Sequence, residues 1–255
     1  MKQNLKKGVC KLCRKDAFLN FEHVPPRCTF NKKTRYTEVS FEEYMKRKNP
    51  LNEKIKGKIK QGGIGFYSFC ESCNNFLGNE YVREYKIWAG IAAEILSNGK
   101  FNFYNYTVFD QSPNKILKHI LSMFVAINED FFAEAHSDLL EFIKDPLTTE
   151  LHEKYKIFMY LNTGPEYRYV PYMITGVAKG DIINCTEIAF PPYGYVLTID
   201  SKNNNPLLLN ITNFKDYLPN QRYNFDFRIA RLQTSLPIPL DYRSYSKIQD
   251  DIKNG

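Results

Sequence analysis

Apolar and polar residues alternate over DAFLNFEHV (16–24), which predicts a strand ending near His23. Pro25-Pro26 stops it, because proline cannot donate to a ladder. IGFYSF (64–69) predicts a second strand that follows a Gly62-Gly63 turn and runs into Cys70. Residues 27–62 are a long excursion rich in Lys, Arg and Asn. Within it FEEYMKRK predicts a short helix, and KIKGKIK a strand with Lys54, Lys56, Lys58 and Lys60 on one face. A helix is expected from near Cys73 to about Leu96, kinked or split because Gly78 and Gly90 weaken it, and stopped by Asn98-Gly99. Two more are expected at 112–127 and 130–144. Ser112-Pro113 places cap and first-turn proline in the favoured order, and Ile116, Leu117, Ile120, Leu121, Phe124 and Ile127 recur at helical spacing. From about 155, KIFMYL, YVPYMI, IAFPPYGYVLTID and PLLLNI read as short strands separated by turns such as SKNNNP. The chain is therefore expected to be α+β, with helices followed by an antiparallel sheet. The expected division is a domain over 1–100 and an accessory α+β domain over 101–255.

Charge sharpens that division. The net charge is +7, yet residues 1–100 hold 20 Lys/Arg against 10 Asp/Glu, while 101–255 hold 15 against 18. A localised positive field favours a polyanion such as DNA or RNA; a solvated lysine-rich surface is the competing reading. No apolar run approaches the roughly 20 residues of a membrane span. The longest candidate, WAGIAAEIL at 88–96, contains Glu94. Lys2, Lys6 and Lys7 are followed by no apolar signal core, so a cytoplasmic location without membrane partners is expected.

In a reducing compartment paired cysteines are metal ligands more often than disulfides. Cys10 and Cys13 form one C-x-x-C, and Cys70 and Cys73 another. Four thiolates in two chelating pairs can close a tetrahedral zinc shell with no open position, which makes this zinc structural. With little other apolar clustering before residue 70, zinc is expected to supply much of the folding energy there. Cys28 and Cys185 stand alone, as buried small hydrophobes or bystander thiols, with Cys28 close enough to serve as a spare ligand. Of four histidines, His119, His136 and His152 fall on helices or a junction and read as packing or surface residues. His23 differs because it follows Glu22 and sits between the cysteine pairs. The lysine strand at 54–60, with Arg27, Lys32, Lys33 and Arg35, is a candidate phosphate track.

CKLC…FEHVPP…CESCNNFLG resembles the zinc-stapled branch of the HNH, or ββα-metal, endonuclease family over about residues 8–90. The resemblance implies a treble-clef/ββα-metal fold and metal-dependent hydrolysis of phosphodiester bonds, most simply in double-stranded DNA. It implies that His23 is the general base, and that Glu22 and Asn74 bind a catalytic Mg²⁺ or Mn²⁺, with Asn75 in a supporting or alternative ligand role. The family's middle asparagine falls here on Gly65, so His23 is expected to be held by a backbone carbonyl or another side chain. Two alternatives stand beside this expectation: a non-catalytic zinc-dependent nucleic-acid-binding module, and an RNA-directed nuclease. By architectural analogy, residues 101–255 would serve homodimer formation or a protein activator in a regulated anti-phage defence effector.

Overall fold

The structure, a computed structural model, describes residues 6–39, 43, 46, 57–99, 101–176, 182–202, 205–236 and 238–254. The first strands are β1 (Lys6–Val9), β2 (Asp16–His23), β3 (Arg35–Glu38), β4 (Lys58–Gln61) and β5 (Gly65–Cys70). They form two sheets, an antiparallel β1-β2-β5 sheet and a separate β3-β4 ribbon. The two strands expected from alternation therefore form and pair with each other, Leu19 opposite Cys70 and His23 opposite Gly65. All of FEEYMKRK except Glu43 and Lys46, where a helix is expected, and Lys54 and Lys56 of the lysine strand lie outside the described residues.

The expected helix after Cys73 is two helices, α1 (Glu71–Glu80) and α2 (Val82–Asn98). The break is at Tyr81, not at either glycine; Gly78 and Gly90 sit inside helices with open space beside them. Tyr81 is fully buried and donates its hydroxyl to the Ile143 carbonyl (2.7 Å), so a packing demand sets the break. β6 (Phe103–Gln111) follows, then α3 (Pro113–Ile127), α4 (Asp130–Ala135) and α5 (Ser137–Lys144). The helix expected at 130–144 is thus divided at buried His136, whose ring lies 3.1 Å from the Tyr155 hydroxyl. Ser112 stands at the N-cap of α3, but its hydroxyl donates to the Pro219 carbonyl instead of taking the helix N–H groups.

The remaining elements are β7 (Tyr155–Asn162), β8 (Arg168–Gly176), β9 (Ile182–Phe190), β10 (Tyr193–Ile199), β11 (Leu209–Asn210), a 3-10 turn at Thr212–Asp216, β12 (Tyr223–Leu232) and α6 (Tyr245–Asn254). Together with β6 they make a seven-stranded sheet, ordered β6-β12-β7-β10-β9-β8 with β11 beside β7. IAFPPYGYVLTID is a hairpin, not one strand, turning at Pro191-Pro192. PLLLNI shrinks to the short β11. The sheet is antiparallel apart from one parallel pairing, Arg231 and Leu232 of β12 beside Leu161 and Asn162 of β7. The protein is a mixed α+β fold with several antiparallel sheets.

One buried cluster runs from Cys10, Leu12, Leu19, Val24 and Phe69 through Trp88 to Ile229. α3, buried along almost its whole length, touches β5 of the small sheet and β8 and β9 of the large one. Trp88 of α2 stacks on Tyr193 (5.2 Å) and donates its ring N–H to Tyr195 (3.2 Å). The small sheet is thus held by packing as well as by its cysteines. Residues 1–100 and 101–255 share this core.

Candidate functional site

The cysteines come together because each C-x-x-C occupies a tight local structure. Cys10 opens a knuckle in which its own N–H donates to the Lys15 carbonyl and the Arg14 N–H returns to the Cys10 carbonyl, with Arg14 at φ +60°. Cys70 ends β5 at the N-cap of α1, and Cys73 lies in that helix's first turn. All four sulfur atoms lie within 4.8 Å of one another. Zinc–sulfur bonds of about 2.3 Å in a tetrahedron demand sulfur–sulfur edges of about 3.8 Å. The Cys13 and Cys70 sulfurs are 3.9 Å apart. The Cys70 N–H points at the Cys10 sulfur (3.3 Å), which favours a thiolate there. Contact with Cys73 and these backbone donors lower the Cys10 thiol to about 4, and the same contact raises Cys73. Four cysteines placed this way could hold a metal ion such as zinc. Cys28 is exposed and does not join them, and Cys185 is buried in the large sheet.

The knuckle is clamped to the rest of the molecule. Lys11 Nζ donates to the Ala126 carbonyl (3.1 Å) and to Asn128, at the C-terminal end of α3. A cation there meets the negative end of the helix dipole. Ser68 donates to the same Ala126 carbonyl (2.8 Å), and Arg14 pairs with Glu134 (2.6 Å).

His23 closes β2 and is half-buried. Its Nε2 lies 3.1 Å from the Gly62 carbonyl oxygen. An acceptor at that nitrogen requires the ring to donate from Nε2, leaving the lone pair of the neutral imidazole on Nδ1. The expected backbone anchor is therefore the Gly62 carbonyl. Gly63, at φ +102°, makes this approach possible: a side chain there would lie 2.7 Å from His23 Cδ2 and 2.2 Å from the Asn31 carbonyl oxygen.

Asn31 was not singled out by sequence, yet it ties the loop together. Fully buried, it donates to the carbonyls of Pro25 and Ile64 (2.8 Å each) and accepts from the Ile64 N–H (2.8 Å). One side chain thus bridges the segment after His23 to the start of β5. Tyr169 of β8 adds a second tie, donating to the Val24 carbonyl (2.5 Å) and packing on Phe66 (5.8 Å). Nothing in a polar stretch such as TFNKKT marks one asparagine as buried, so no local signal distinguished Asn31.

Glu22 lies next to His23, but the strand pleat sends their side chains to opposite faces. Its carboxyl is half-buried with no hydrogen bond or ion pair among the described residues. Burial raises it to about 7. Asn74 stands half-buried on the first turn of α1 and Asn75 is exposed beside it. No hydrogen bond joins Glu22 to Asn74, and among the described residues the four cysteines are the only His, Cys, Asp or Glu cluster that could hold a metal.

The candidate phosphate contacts do not share one face. Arg27, Lys32, Lys33 and Arg35 are exposed and make no ion pair among the described residues. On the β3-β4 ribbon, Lys58 and Lys60 share a face with Glu38, and Lys60 pairs with it (2.7 Å). Arg35 opposes Gln61, so it belongs to the other face. No helix among the described residues is long and apolar enough to cross a membrane. No family model, curated protein or solved structure matches the chain.

Proposed function

We propose that the chain is a zinc-stapled, metal-dependent endonuclease of the HNH type that hydrolyses phosphodiester bonds in DNA. The observation that carries this reading is the placement of His23. It ends β2, whose antiparallel partner β5 leads through Cys70 into α1, and its ring is anchored through Nε2 to the Gly62 carbonyl. The pairing of β2 with β5, the helix that follows β5, and a neighbouring four-cysteine cluster that could hold a metal support this reading. In the proposed reaction, Nδ1 of His23 takes a proton from the water that attacks the scissile phosphorus. Glu22 and Asn74 are the proposed ligands of a Mg²⁺ or Mn²⁺ ion, with Asn75 as the alternative amide. When bound, that ion would offset the charge growing on the leaving oxygen. An unpaired, desolvated carboxyl such as Glu22 fits a cation ligand, since a cation would stabilise its charged form.

The test is nicking of a supercoiled plasmid by zinc-loaded protein with Mg²⁺ or Mn²⁺, beside His23→Ala. Loss of a general base typically costs about 10²- to 10⁴-fold in rate, and that loss is expected here with zinc content and melting unchanged. Equal cleavage by the variant would remove His23 from the chemistry. Gly65 in the place of the family's middle asparagine favours a second reading, a non-catalytic nucleic-acid-binding module. Tight DNA or RNA binding without cleavage under either cation would select it.

A further inference from the structure

The face of β2 that carries His23 also carries Phe21, two residues earlier along the pleat. Leu19, on the far side of a register shift between Asn20 and Phe21, is buried, whereas Phe21 is 40 % exposed. Its ring stands edge-on to His23 (5.2 Å, 89°) and to Tyr67 (5.5 Å, 71°), its cross-strand partner on β5. Gly65 provides the space beside it. A side chain at Gly65 would lie 2.7 Å from the Phe21 ring and 2.2 Å from the Glu22 carbonyl oxygen. The glycine that stands in the place of the family's middle asparagine is therefore what lets Phe21 lie against the backbone next to His23.

We propose that Phe21 and Tyr67 form a stacking shelf for one unpaired nucleobase beside His23, so that the nucleic acid engaged here is single-stranded or locally opened. The inference rests on the reading of the His23 face as a nucleic-acid site and narrows its substrate. An aromatic face offers a base sequence-tolerant stacking, whereas a base inside a duplex already has both faces covered. Charge on the segment that follows β2 favours this occupant over an apolar peptide. The segment leaving β2 after His23 presents Arg27, Lys32, Lys33 and Arg35 to solvent, without an ion pair among the described residues. Those cations suit the phosphates flanking a stacked base.

The experiment measures fluorescence anisotropy of labelled oligo(dT) and of a duplex of equal length. It uses the full, zinc-loaded chain without added Mg²⁺ or Mn²⁺. Phe21→Leu keeps apolar bulk and removes the ring; it is expected to weaken oligo(dT) binding about 5- to 100-fold. Phe21→Trp should retain binding. Phe18→Leu, on the opposite face of the same strand and 55 % exposed, should leave it within about twofold, the spread expected of a non-contacting change. Zinc content and melting temperature establish that each variant is folded. The shelf is overturned if Phe21→Leu binds oligo(dT) like the wild type, loses duplex binding to the same degree, or if the wild type does not bind oligo(dT). Cleavage that needs His23 but oligo(dT) binding that ignores Phe21 would discard the shelf and keep the nuclease. Phe21-dependent binding without any cleavage would do the reverse.

Discussion

The two sheets of this protein are stabilised by different means. The three-stranded sheet has few strands and exposed aromatic rings, Phe18 and Phe21, and places four cysteines where one metal could join both ends of the segment. The seven-stranded sheet has a central pair, β7 and β10, that is almost wholly buried, and its polar feature is an internal ion pair. There Arg168 and Glu187 meet at 2.5 Å with side chains 1 % and 0 % exposed. Arg168 also donates to the Leu236, Ile238 and Asp241 carbonyls, while Glu187 accepts from Tyr160, Tyr242 and the Leu240 N–H. A small sheet cannot bury enough apolar surface alone and gains from a cross-link; a large one tolerates a buried charge pair because both carboxylate oxygens and both terminal guanidinium nitrogens are hydrogen-bonded, leaving only Arg168 Nε without a partner among the described residues.

Metal removal is the strongest way to break this comparison. Zinc binding in small zinc domains is worth on the order of 10 kcal/mol of folding energy. Chelation, or Cys73→Ser, is expected to raise amide hydrogen exchange over 8–24 and 64–75 while β7 and β10 stay protected. Unchanged protection of the small sheet would show that the shared core, not the metal, sets its stability; equal loss in both sheets would show that the metal stabilises the whole molecule and would erase the contrast.

Next in size is Glu187→Gln, which leaves the Arg168 charge without its partner. A broken buried pair typically costs about 3–5 kcal/mol. Urea unfolding should show that loss, with the zinc-dependent exchange pattern unchanged. A cost below about 1 kcal/mol, the range of exposed pairs, would mean that the carbonyl cage alone holds Arg168.

Asn31→Ala sharpens the comparison within the small sheet. It strands the Ile64 N–H and the Pro25 carbonyl, while the Ile64 carbonyl keeps the Val24 N–H, a penalty of about 1–3 kcal/mol. Exchange should rise at 24–31 and 62–64, and plasmid nicking should fall as His23 loses its fixed anchor. Rigid loops with unchanged nicking would leave Asn31 a purely structural tie.

The most gradual effect, spread over pH instead of present at neutrality, is acid sensitivity from His119 on α3. It is buried against Tyr85 (4.7 Å) with neither ring nitrogen hydrogen-bonded, and desolvation lowers it to about 3. The unfolded chain, titrating near 6.5, then binds a proton that the folded state refuses. Stability from this group is therefore complete above about pH 6.5 and falls by about 1.4 kcal/mol per pH unit from there towards 3. His119→Phe should flatten that slope between pH 6.5 and 4.5 in thermal melts. Parallel slopes for variant and wild type would show that the buried ring is protonated in the folded state.

Much of the small sheet was legible because its signals are local. Alternation marked β2, Pro25-Pro26 its end, and C-x-x-C spacing the cysteines that could hold a metal; Gly62-Gly63 announced the turn that anchors His23. β6, β12 and α6 escaped, since FYNYTVFDQ and YNFDFRIARL pair with each other across more than a hundred residues and carry no turn between them. The helix breaks at Tyr81 and His136 escaped for a related reason: each is set by a hydrogen bond to a distant element, while the glycines that looked weak sit unstrained in helices.

By itself, the sequence determined which residues could bind metal, where the basic charge lies and that helices precede strands, because these depend on residue type and short-range spacing. Tertiary structure decided that Asn31 and Tyr169 hold the loop beside His23, that Gly65 seats Phe21, that Lys60 is paired with Glu38, and that both halves share one core. Those outcomes depend on which side chains meet across long stretches of chain, and close packing selects such partners only once the whole backbone is in place.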